Sequence, residues 1–574
     1  MNFIRIILSG KYKETGPVVM RLAKPGPKPF FRFDLFYKKV ERILASRTIR
    51  HVLVERRKDF AAPPFGALEE IRAGLERLSK AGKVIYYYAP EYTGTDCMLS
   101  SVCKYRILHP LGQVSFRGMA LSSMFFKKFL DKHDVDVTII RRDRYKNAAD
   151  RLRTDRFDQY AREQYQALMS GVVDAMRKAV EVPSGRDKKR GVTKETLGNM
   201  LDGRTYTADE ALEAGMVSEL RTLHDLLDEW KKKRYRERFV GKVLRLRPGP
   251  RVVVLVFEGM IVDGPNRNHP LFGQVAGDSL MVKQIRALRK NKRVRGVIFR
   301  INSPGGSPTA SENILRELEA LHREKPLVVS MGPVAGSGGY WIAGTGRRMF
   351  ALPTTLTGSI GVITLFFNLA QLFEKYGITA DCVKEGESAD LGSALRPMSE
   401  KEKKSISHTV DFLYDAFIKR VAKNRKLTQA KVRELGEGRL WLGKDAVKHK
   451  LVDQTGGLDE AISHMKKILR TDKVSVRFKP RQPPLMRMLG KRFTTEKHGA
   501  WFAEHFTGMQ SGIDGGLSDM PFGDTGLHEQ GVPLSVARAC LSVHGQMFLS
   551  DSLLFELFSS LSDPCRTKRC ECHQ

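Results

Sequence analysis

VIFRINSPGGSPTASENILRELEALHREKPLVVSMGPVAGSGGYW, running from Val297 to Trp341, decides the fold class. It opens on the short apolar run Val297-Ile298-Phe299, rich in the residue types that suit a buried strand. Ser311 to His322 is an amphipathic stretch of helical length, and Leu327-Val328-Val329 is a second short apolar run. Strand, helix and strand in that order make a βαβ unit, so the class is α/β.

The unit occurs twice. Pro110 to Gly118 has the spacing of Pro353 to Gly361, and each is followed by an amphipathic helix with a similar end. Those ends are Phe129-Leu130-Asp131-Lys132 and Leu372-Phe373-Glu374-Lys375, both pairs 243 positions apart. Gly203-Arg204-Thr205-Tyr206 leads to Gly215-Met216-Val217 as Gly438-Arg439-Leu440-Trp441 leads to Lys450-Leu451-Val452. Val52-Leu53-Val54 stands where Val297-Ile298-Phe299 stands in the other copy. Matched spacings at several separated points signal a duplication. The expected organisation is a basic N-terminal arm over 1–45, closed by Lys24-Pro25-Gly26-Pro27-Lys28-Pro29, then a first repeat over 46–235. A linker over 236–250, punctuated by Arg247-Pro248-Gly249-Pro250, leads to the second repeat over 251–472, which opens on the strand Val252 to Phe257. The tail over 473–574, with Gly512, Gly515 and Gly516, is expected to be disordered.

At 574 residues the chain exceeds the roughly 250–300 that one core serves. Its net charge of +34 attracts polyanions, and no zinc-finger spacing or aromatic RNP-type strand points to nucleic acid. An anionic lipid surface is the expected partner. Seven cysteines are too few for a disulfide scaffold, and Cys565, Cys570, Cys572 and His573 fit no standard zinc spacing, so no metal is expected. No apolar run reaches 18 residues, and Met1 to Leu8 is too short for a signal peptide.

Two glycine-rich loops can carry chemistry. Asn302-Ser303-Pro304-Gly305-Gly306-Ser307 follows the first strand of the βαβ unit, and Gly336-Ser337-Gly338-Gly339-Tyr340-Trp341 follows the second. Glycine lets backbone N–H groups approach a ligand, so a serine set among glycines has oxyanion donors beside its hydroxyl. Ala335 departs from the Gly-x-Ser-x-Gly elbow, and no histidine–aspartate pair stands near these loops.

These two loops, with Leu356-Thr357-Gly358-Ser359-Ile360-Gly361-Val362 after them, resemble the signature of the signal peptide peptidase A (protease IV) family in its long, tandem form. The likeness spans roughly 46 to 472. It implies two tandem crotonase- or ClpP-like repeats of ββα units. It also implies Ser337 as nucleophile and Lys146, in Arg144-Tyr145-Lys146-Asn147-Ala148, as general base. Ser307 and Ser359 stand next in line as nucleophiles. Gly305, Gly306 and Gly338 are the oxyanion-hole candidates. The duplication agrees with a split dyad: 243 positions before Ser337 stands Gly94, and 243 after Lys146 stands Ala389. A lysine can act as base once burial disfavours its ammonium, and a facing Arg144 would help. The resemblance further implies apolar peptide substrates such as cleaved signal peptides, no cofactor, a homo-oligomer, and a place at a bacterial inner membrane. The long form usually has an N-terminal membrane anchor, which this chain does not display. A crotonase-type acyl-CoA enzyme and an inactive membrane scaffold remain as alternatives.

Overall fold

Six strands lie side by side in the first half, all parallel: Glu219–Leu220, Tyr105–Leu108, Val84–Ala89, Ile49–Arg56, Asn2–Leu8 and Arg236–Glu237. The second half repeats that order with Gln454–Thr455, Met349–Ala351, Leu327–Gly336, Val294–Ser303, Arg251–Glu258 and Ser475–Lys479, again all parallel. This computed structural model describes residues 2–16, 30–181, 192, 194–238, 249–269, 273–346 and 348–480. Each half is α/β, and the expected helix at Ser311 to His322 runs over Pro308–Glu324 with Ser307 as its cap.

The expected domain boundaries need correction. The described residues 2–16 and 30–45 are no arm. Asn2–Leu8 is an inner strand of the first sheet, and Phe33–Ala45 is a helix that buries Phe36, Tyr37, Val40 and Ile43. They are the counterparts of Arg251–Glu258 and Asp278–Lys290, so both belong to the first repeat. The cluster of lysines and prolines from Lys24 to Pro29 suggests an appendage, while the apolar run Phe3, Ile4, Ile6 and Leu8 does the packing. The linker loses Arg236–Glu237, which pairs with Asn2–Leu8, and the tail loses Ser475–Lys479, which pairs with Arg251–Glu258. Lys24 to Pro29, the tail from 481 onward and its Cys565, Cys570, Cys572 and His573 lie outside the described residues.

The halves share a core. Val52, Val54, Ile85 and Tyr87 of the first pack in one apolar cluster with Val254, Ile298, Val328 and Phe350 of the second. A buried ionic cluster crosses the same seam. Arg300, fully buried, donates to Glu14 at 2.8 Å and to Glu70 at 3.1 Å, and Glu70 also accepts from the backbone N–H of Leu458 at 2.8 Å. Glu258 accepts from the Glu14 N–H at 3.1 Å, and burial pushes its carboxyl up to about 7. A separate joint lies further out, where Asp136–Arg141 of the first half pairs antiparallel with Ile363–Asn368 of the second.

Candidate active site

Ser337 ends the strand Leu327–Gly336 and caps the short helix Gly338–Ala343. The strand-to-helix reversal forces it to φ 52° and ψ −122°, a conformation that costs a residue with a Cβ on the order of 1–3 kcal/mol. Its backbone N–H donates to Gly358 O at 2.9 Å, which fixes the turn. The side chain is thereby projected to a partly exposed position.

The loop after Val294–Ser303 comes against this turn. A Cβ at Gly305 would lie 2.7 Å from the Ser337 Cβ, and Gly305 has φ +113°, so only glycine serves there. Gly305 O accepts from Ile261 N and Ser307 N donates to Ile261 O, a parallel bridge that turns the intervening Gly306 N–H away from residue 261. A Cβ built on Gly338 would lie 3.2 Å from Gly306 N, so these two positions face each other next to Ser337. The Gly305 N–H is engaged with Ser303 Oγ at 3.2 Å.

Lys146 follows the outer joint. The strand Asp136–Arg141 carries the chain from the first half onto the second, and the next turn buries Lys146 completely. Its Nζ lies 3.3 Å from Ser337 Oγ and 2.7 Å from Ser359 Oγ, and donates to Ser359 O at 3.3 Å. The structure thus brings together a serine and a lysine that lie 191 residues apart. Arg144 points elsewhere: it pairs with Glu437 at 2.9 Å and its side chain is well exposed.

The other serines sort themselves by access. Ser307 Oγ is occupied in accepting from the Ala310 N–H as a helix cap. Ser359 is nearest the amine but only 1% exposed, whereas Ser337 is open on one side, and a nucleophile must reach its substrate. Ser359 as a lysine partner is what sequence reasoning missed. A signal was present: 243 positions earlier stands Phe116, so the two copies differ there as they do at Ser337 and Gly94. In the first copy a Cβ on Gly94 would lie 2.7 Å from the Phe116 ring, which is fully buried, so that site is filled by apolar atoms. Ala389 is exposed in a loop.

No helix among the described residues is long and apolar enough to cross a membrane. Residues 77–235 and 319–472 match peptidase family S49, one stretch in each half. The chain is 29% identical over 430 residues to Protease 4 of Haemophilus influenzae, covering 71% of this chain and 69% of that one. It is 28% identical over 414 residues to the chloroplastic serine protease SPPA of Arabidopsis thaliana, covering 70% and 60%. A putative signal peptide peptidase SppA of Enterococcus faecium is 34% identical over 232 residues, covering 40% of this chain and 67% of that one.

Proposed function

The chain belongs to peptidase family S49, a family of serine peptidases, and from that premise we propose that it cleaves peptide bonds with a Ser337–Lys146 dyad. The observation that carries this reading is the 3.3 Å approach of a fully buried lysine amine to a half-exposed serine hydroxyl. A neutral Lys146 takes the Ser337 proton as Oγ attacks the scissile carbonyl. The N–H groups of Gly306 and Gly338 face the developing oxyanion; Gly305, whose N–H is bound to Ser303, serves by its lack of a side chain. The amine then passes the proton to the leaving nitrogen, and water releases the acyl group. Ser359 holds the amine in line from its far side.

A serine-directed fluorophosphonate is the test. It should label Ser337 and abolish peptide hydrolysis in step with labelling, and Ser337→Ala should neither label nor turn over. Absence of labelling with hydrolysis intact would move the nucleophile elsewhere, and absence of both would reopen the acyl-CoA and scaffold readings.

The crotonase-like ββα repeat is the fold reading that fits the repeated parallel sheets, and extended apolar peptides such as cleaved signal peptides are the substrates that strand addition beside Ser337 would suit. Two partners complete the proposal. The net charge of +34 favours an anionic membrane surface, so binding to anionic vesicles should fall steeply as salt rises and neutral vesicles should not bind; salt-independent sedimentation with vesicles would remove this partner. The exposed Ile378, Val383, Leu391 and Leu395 lie in the segment after Ala370–Lys375, where the first copy has its joint strand, and suit a second copy of the chain. Sedimentation velocity should then give a mass above one chain, and a monomer at micromolar concentration removes the oligomer.

A further inference from the structure

The turn that carries Lys146 belongs to one half of the chain and Ser337 to the other, so something must fix the distance between them. Two consecutive residues of the helix Gln159–Glu181 span that gap. Glu163 accepts from Tyr145 OH at 3.0 Å and from Arg439 Nη2 at 3.0 Å. Gln164 accepts from the Leu440 backbone N–H at 2.7 Å and donates through Nε2 to Asn147 Oδ1 at 3.4 Å. The residues immediately before and after Lys146 are thereby tied to adjacent residues of the second half.

The two ties differ in worth. Glu163 is exposed, and solvated pairs contribute little. Gln164 is 1% exposed, and a buried amide persists only where its hydrogen bonds are made. Both of its bonds run into the site. Leu440 stands opposite Gly358 in an antiparallel pair, and Gly358 O holds the Ser337 N–H. On the other side, Asn147 donates to Asp150, Asp150 accepts from Arg141 at 2.9 Å, and Arg141 donates to the carbonyl of Lys146 at 2.9 Å. A path therefore runs from the backbone of the serine to the backbone of the lysine, by hydrogen bonds except where Leu440 stands beside Gly358 in the strand ladder, and its link across the halves is the buried side chain of Gln164.

We propose that Gln164 is a positioning residue that holds Lys146 at its working distance from Ser337. The proposal rests on the dyad reading. Misplacement of about 1 Å between reacting groups can cost on the order of 100-fold. Gln164→Leu, close in shape but without either hydrogen bond, should lower kcat for a fluorogenic peptide by roughly 10–100-fold while leaving KM within about twofold. Glu163→Gln should change kcat by less than about threefold.

A purely structural glutamine would lower stability and leave the chemistry alone, so the deciding measurement is the rate at which a fluorophosphonate labels Ser337. Gln164→Leu should slow labelling in the otherwise native chain and have no further effect in a Lys146→Ala background, because it acts through the lysine. Gln164→Glu, which keeps the acceptor for Leu440 and loses the donor to Asn147, should fall between, and it replaces the leucine variant if that does not fold. Native kcat in both Gln164 variants, or the same slowing in both backgrounds, overturns the proposal. Native labelling and turnover in Lys146→Ala itself would instead overturn the dyad on which it rests.

Discussion

Lys146→Arg is expected to show no peptide hydrolysis at any pH at which the protein stays folded. A guanidinium keeps its proton throughout the accessible range, so it cannot accept one from Ser337. The loss should be at least 100-fold in kcat, the usual order for removing a positioned general base. Lys146→Ala should be comparably inactive with the fold retained. In the native enzyme kcat/KM should rise with pH, reporting loss of the base's proton in the free enzyme, and that rising limb should be absent from both variants. A stopped assay over the stable pH range decides the matter. Substantial turnover by Lys146→Arg with a preserved limb would assign the proton to another group.

The second large effect is on stability. Arg300→Met should lower the unfolding free energy by about 3–5 kcal/mol, the order found when one member of a buried ionic cluster is removed. Glu14 and Glu70 would be left without their shared cation, with Glu258 close by and already raised toward neutral by burial. The variant can relieve the charge by protonating these carboxyls, which sets the sign of its pH dependence. Folded-state values raised above the unfolded ones mean that the folded chain binds more protons, so stability is kept at low pH and lost as pH rises through the folded values. Urea unfolding at pH 6 and pH 9 should therefore show the larger deficit at pH 9. A deficit below about 1 kcal/mol, or one that grows on acidification, would contradict the account. Neutralising the acids in turn, as in Arg300→Met with Glu70→Gln, should recover part of the loss.

The βαβ unit was legible because Val297-Ile298-Phe299 and Leu327-Val328-Val329 are buried on both faces and leave uninterrupted apolar runs. The tandem repeat was legible because spacing survives where side chains diverge. That the first repeat includes Asn2–Leu8 was not, since this strand is followed by a segment whose prolines and lysines suggest an appendage. Ser337 and Lys146 could be named by resemblance, yet their proximity depends on a strand pairing between halves, Asp136–Arg141 with Ile363–Asn368, that no local pattern encodes. Gln164 was illegible for the same reason, and Ser359, though it differs from its counterpart Phe116, could not be read as a partner of Lys146. A buried serine and a buried glutamine look like any others until their partners across the seam are known.

The crossing of one copy's strand onto the other also bears on safety during synthesis. A ribosome that stalls before residue 337 releases a chain holding the amine and no hydroxyl to serve. A fragment beginning after residue 250 holds the hydroxyl and no amine. Neither of these two truncation products carries both members of the proposed pair, so on that reading neither would be an active protease. Under the proposed dyad, its division between the copies would work as an interlock, armed only when the two copies have closed on each other.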